Sequence, residues 1–121
     1  MELNEYQDRA MRTCMNTCNN PLYMLGLLHE EAGELQGKFN KALRKGKITY
    51  NEHHQMVYAG TFEEQMEFEQ ECCKELGDIM WAVAGIAAVF DWRLDGVGHG
   101  NLMKLASRQN RGVLDGQGDN R

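Results

Sequence analysis

The run IMWAVAGIAAVF, residues 79–90, constrains this chain more than any other stretch. It lies between Asp78 and Asp91 and contains no charged residue. As a helix it rises only about 18 Å, too little to cross a bilayer, so it reads as a buried helix. A helix that is apolar on every side must be covered on every side. A chain of 121 residues suits one domain and has few spare elements for that task. A second copy of the chain is the expected cover, giving a homodimer or homotetramer.

The rest of the sequence supports helices. There is one proline, Pro21, among many Glu, Leu, Met, Ala and Gln residues. Apolar periodicity predicts a first helix over about 3–17, with Leu3, Tyr6, Ala10, Met11, Cys14 and Cys18 on one broad face. NNP at 19–21 starts a second helix, with Asn20 as cap and Pro21 in the first turn. That helix runs to about 43, where RKGK closes it. TFEE at 61–64 is a capping box opening a third helix that reaches about 90. A fourth covers about 95–109. In residues 44–61, ITY and MVY flank polar NEHHQ, and both a small hairpin and a mobile loop are open readings. The tail RGVLDGQGDNR has turn residues and no apolar period. The expectation is an all-α antiparallel bundle of four main helices over residues 1–110, with an irregular tail at 111–121, oligomerising through its third helix.

Thirteen basic against eighteen acidic residues give a formal charge of −5. That balance argues against nucleic-acid binding through a basic surface. The N-terminal stretch MELNEYQDRAMRTC is polar and acidic, unlike a signal peptide. A cytoplasmic protein without a membrane partner is expected. Cys14, Cys18, Cys72 and Cys73 show no CxxC or paired-histidine spacing. Free thiols in a reducing compartment are therefore expected, and zinc is disfavoured.

The chemistry lies in two acid pairs. Residues three apart share a helix face, so Glu31 pairs with Glu34, and Glu75 with Asp78. Either pair alone is an ordinary solvated face, as Glu63, Glu64, Glu67, Glu69 and Glu71 are expected to be. Each chemical pair, however, adjoins apolar residues: Leu27, Leu28 and Leu35, or Ile79, Met80 and Trp81. If the second and third helices pack together, four acids converge. Four close carboxylates must take up protons or bind cations. Oxygen ligands without histidine or thiolate point to magnesium, with manganese as a substitute. Gly33 and Gly77 occupy the same place in each pair and suggest a close helix approach.

EEAGE followed by ELGDIMW, with NLMKLASR after them, resembles the MazG-like all-α nucleoside triphosphate pyrophosphohydrolases. The resemblance runs from about residue 24 to the end. It implies that Glu31, Glu34, Glu75 and Asp78 hold magnesium and that Glu31 and Glu34 serve catalysis. It implies cleavage of a nucleoside triphosphate to the monophosphate and pyrophosphate, for control of the nucleotide pool. Asn101, Lys104 and Arg108 match the family's later basic segment and become substrate-binding candidates. The long spacer holding KITYNEHHQMVY departs from the pattern and leaves substrate preference open.

Other residues carry two readings each. Lys38 can reach a phosphate or pair with Glu34 one turn away. Trp81 can stack on a base or pack in the core. Lys104 and Arg108 can simply solvate the fourth helix, and Asn101 can cap it. His29, His53, His54 and His99 show no ligand or triad spacing. Two other functions stay open: phosphoribosyl-ATP pyrophosphohydrolase, and a non-catalytic helical module whose acids form an interaction face.

Overall fold

A computed structural model describes residues 1–121. The order is α1 (Leu3–Met11), a 3-10 turn (Asn16–Asn19), α2 (Pro21–Arg44), β1 (Ile48–Tyr50), β2 (Met56–Tyr58), α3 (Phe62–Val89) and α4 (Leu94–Asn110). The fold is mostly helical, with one two-stranded antiparallel sheet. No helix is long and apolar enough to cross a membrane.

α1 ends at Met11, short of the expected limit near residue 17. The chain turns there and enters the 3-10 segment. Cys14 and Cys18 are joined in a disulfide with Cα atoms 5.9 Å apart, which corrects the expectation of free thiols at these two positions. Four residues of separation put two cysteines within bridging reach in a helix or a turn alike, so spacing alone does not reveal the bond. Cys72 and Cys73 are free.

The start of α2 follows the sequence. Asn20 Oδ1 accepts from the amides of Leu22 and Tyr23, and Pro21 takes the first helical position. At its far end Gly46 adopts φ +67°, and the Lys47 amide donates to Ala42 O at 2.8 Å. This satisfies carbonyls the helix leaves unpaired. The chain then enters a hairpin that pairs Ile48 with Tyr58, Thr49 with Val57 and Tyr50 with Met56. Asn51 Oδ1 accepts from the His53 and Gln55 amides and fixes the turn. The mostly helical expectation holds, and of the two open readings of 44–61 the small hairpin is the one formed.

The capping box opens α3 as expected. Thr61 Oγ1 accepts from the Glu64 amide, and Glu64 Oε2 accepts from the Thr61 amide. The most extensive packing joins α2 to α3, while α4 packs on α1 and α3. Met24 of α2 is fully buried near Gly85, where a Cβ would collide with Met24 Cε. Within 79–90 only Ala82, Ala84, Gly85 and Ala87 are buried, while Met80, Val83 and Phe90 remain exposed. The chain covers one face of that run and leaves another open.

Gln7 is buried and holds the α3–α4 junction. Its Nε2 donates to Trp92 O at 2.9 Å, and its Oε1 accepts from the Leu94 amide at 3.1 Å. Asn4 Oδ1 accepts from the Asp95 amide. Side chains of α1 thus satisfy the first amides of α4, whose own N-cap residue, Arg93, makes no side-chain cap. Arg93 instead forks onto the Asp8 carboxylate. Residues 111–121 form no helix or strand, and they fold back onto Arg108.

Candidate functional site

Along α2, Glu31, Glu34, Lys38, Lys41 and Lys45 recur at steps of three and four, so they form one stripe. Acids occupy its N-terminal half and lysines its C-terminal half. Packing against α3 sets Glu75 opposite the acids. One carboxylate oxygen from each of Glu31, Glu34 and Glu75 lies within 4.8 Å of the other two. Glu31 and Glu75 are half-buried and Glu34 is exposed. Asp78, the fourth expected acid, lies outside that cluster, but its charge still reaches Glu31 and Glu34.

The electrostatics follow from crowding. Partial burial, then the charges of Glu34 and Asp78, push the Glu31 carboxyl above its usual range. Glu34 is pushed up chiefly by the Glu75 charge, then by burial and by a proton it can share with Glu75. Lys38 partly offsets this repulsion. Its Nζ lies 3.1 Å from Glu75 Oε1 and 3.5 Å from Glu71 Oε2, and hydrogen bonding to Glu75 holds it above the usual lysine value. Of the two readings of Lys38, the helix pair with Glu34 is not formed, and a bridge from α2 to α3 stands in its place.

Gly33 and Gly77 do not mark a close helix approach. A Cβ at either position would meet no heavy atom within 4 Å. The close contact occurs at Gly85 instead, two turns further along α3.

The later candidates are engaged elsewhere. Trp81 Nε1 donates to Thr13 Oγ1 at 2.9 Å and to Ala10 O at 3.3 Å, tying α3 to the end of α1. Asn101 lies in the middle of α4, which removes its capping role. Arg108 is 5% exposed and donates to Gly118 O, Asp119 O and Asp119 Oδ1. Lys104 also reaches Asp119 Oδ1. These two cations bind the tail, and α4 makes no extensive contact with α2.

The residues fit a hard divalent cation by donor chemistry: three carboxylates and no nitrogen ligand. Burial pushes the Cys72 thiol of α3 above its usual range. Sequence reasoning missed Lys41 and Lys45, which line a cavity under the hairpin. Their helical spacing was visible, but the opposing wall depends on the hairpin.

Fold and site together define a mostly helical protein with a carboxylate cluster between its two longest helices. No family model matches the chain, and no solved structure matches it. It is 41% identical over 93 residues to the Gene 37 protein of Mycobacterium phage L5, an alignment covering 75% of this chain and 68% of the phage protein. The chain belongs to the family of that phage protein.

Proposed function

We propose that this protein is a magnesium-dependent nucleoside triphosphate pyrophosphohydrolase of MazG-like type, acting in the cytoplasm on the nucleotide pool. The observation that carries the reading is the convergence of Glu31, Glu34 and Glu75 between α2 and α3. Glu31, Glu34 and Glu75 would hold magnesium or manganese, with Asp78 close by. The cation would supply charge stabilisation for a phosphoryl group. In the reaction, water adds to the α-phosphorus and the bond from that phosphorus to the α–β bridging oxygen breaks. Pyrophosphate leaves, and the water's proton passes to a carboxylate. Glu31 and Glu34 are the carboxylates that the MazG-like resemblance assigns to that role. Lys38, already at the cluster's edge, can exchange Glu71 for a phosphate oxygen.

We read the helices as an antiparallel bundle completed by another copy. Only 11 of 121 residues are buried, and Leu22, Leu76, Met80 and Phe90 are exposed, so a single chain leaves much apolar surface in water. The engagement of Lys104 and Arg108 by the tail favours a second reading, a non-catalytic module that uses the acids as an interaction face.

Metal-dependent release of pyrophosphate separates the two. Wild type should convert at least one (d)NTP to monophosphate plus pyrophosphate only with magnesium, and Glu75→Gln should abolish this while remaining helical by circular dichroism. A folded Glu75→Gln variant with near-normal turnover would overturn the assignment.

A further inference from the structure

A cavity of about 350 Å³ lies between the hairpin and the adjoining ends of α2 and α3. Its floor is apolar. Ile48 of β1 is 1% exposed, Ala42 of α2 is buried, and Tyr58 and Phe68 meet edge to face with ring centres 6.1 Å apart. Its rim offers both signs of charge. Lys41 and Lys45 supply donors and Glu67 an acceptor, and none of the three has an ion-pair partner within 4.0 Å. The other carboxylates on the wall are engaged: Glu64 by the Thr61 amide and Lys47, and Glu71 by Lys74 and Lys38. Because the lining charges nearly balance, the cavity is a weak trap for a bare anion. An apolar aromatic floor with a few free donors and acceptors at the rim suits a planar heterocycle.

The cavity also has a direction. Lys38 and Glu71 line it, and Lys38 touches Glu75 of the carboxylate cluster. Ala42 lies two turns beyond Glu34, about 12 Å of helix rise. That separation is one a nucleotide can span from base to phosphates.

We infer that this cavity receives the base of a nucleotide whose phosphates lie at Glu31, Glu34 and Glu75. The orientation of the ligand rests on the hydrolase reading above. The hairpin, a segment outside the MazG-like pattern, then sets base preference through Ile48 and Tyr58.

The test is methyl NMR of the full chain in magnesium buffer, titrated separately with dAMP, dGMP, dCMP, dTMP and inorganic triphosphate. At least one nucleotide should shift the Ile48 and Ala42 methyl signals saturably, and triphosphate should leave them in place. Ala42→Leu, read through Ile48, should weaken that binding at least tenfold. The exposed pair Lys41→Ala with Glu67→Gln, which removes rim groups the fold does not use, should change the ranking of the bases. Silent methyls with all four nucleotides would overturn the inference. Equal shifts with triphosphate would also overturn it, as would wild-type binding in both variants. Turnover measured in parallel keeps the two claims apart. Hydrolysis with silent methyls refutes the base pocket alone, whereas base binding without hydrolysis refutes the hydrolase alone.

Discussion

Replacing Gly33 and Gly77 by alanine should stabilise the protein. Both glycines lie inside long helices, and a Cβ at either would meet no heavy atom within 4 Å. Neither substitution therefore meets a steric penalty. Each removes the excess freedom of glycine in the unfolded chain, a gain of about 0.5–1 kcal/mol. The two added methyls contact nothing in common, so the gains should nearly add, to about 1–2 kcal/mol in the double variant. For a domain of this size that corresponds to a rise in Tm of about 4–8 °C. Gly85→Ala is the contrasting case. Its Cβ runs into Met24 Cε, the end of a fully buried side chain that must shift to make room, so the gain expected at Gly33 and Gly77 should be absent there. Thermal melts by circular dichroism at two protein concentrations give all three values. A lower Tm for Gly33→Ala or Gly77→Ala would refute the reasoning, because something would then have to cover those positions. A loss that grows with protein concentration would identify that cover as a second copy.

The remaining predictions concern the acids and the α1 clamp. Glu31→Gln should abolish pyrophosphate release in a coupled assay and leave the helical spectrum intact; retention of half the wild-type rate would contradict the role given to Glu31. Crowding raises the Glu34 carboxyl in the folded state, so the folded protein binds its proton more tightly than the unfolded chain does, and the Glu34 contribution to stability falls as pH rises above about 4.5. In metal-free buffer Glu34→Gln should therefore melt above wild type at pH 7, with the gap closing as pH falls toward 4.5; a gap that widens on acidification would reverse the sign. Gln7→Leu leaves Trp92 O and the Leu94 amide without their partner. It should cost about 2–4 kcal/mol in urea unfolding, and a loss under about 0.5 kcal/mol would show that water or another side chain replaces Gln7.

Much of the fold was legible because its signals are local. Asn20 with Pro21, and Thr61 with Glu64, begin helices through contacts within one turn, and the structure realises both. The lower limit of α1 was not legible. Its apolar period continues to Cys18, and only the turn and the disulfide reveal the break. The hairpin was half legible, since ITY and MVY suit strands but nothing nearby forces them to pair. At the site, i,i+3 spacing placed Glu31 with Glu34, and helix pairing then brought in Glu75. The partner of Lys38 depended on how α2 and α3 are rotated about their axes, which spacing along one helix does not encode. Gln7 carried no signal at all. A polar residue on an otherwise apolar face reads as a flaw until the junction it clamps is seen.

The proposed metal-dependent hydrolysis between the α and β phosphates, at the cluster between α2 and α3, has one direct test. The direct measurement is product analysis by anion exchange after incubation with a panel of NTPs and dNTPs, with and without magnesium, using wild type and Glu75→Gln. Wild type with magnesium should give monophosphate and pyrophosphate in equal amounts, and neither should form without the metal or from the variant. Orthophosphate and a diphosphate as products, or equal turnover by Glu75→Gln, would contradict the proposal.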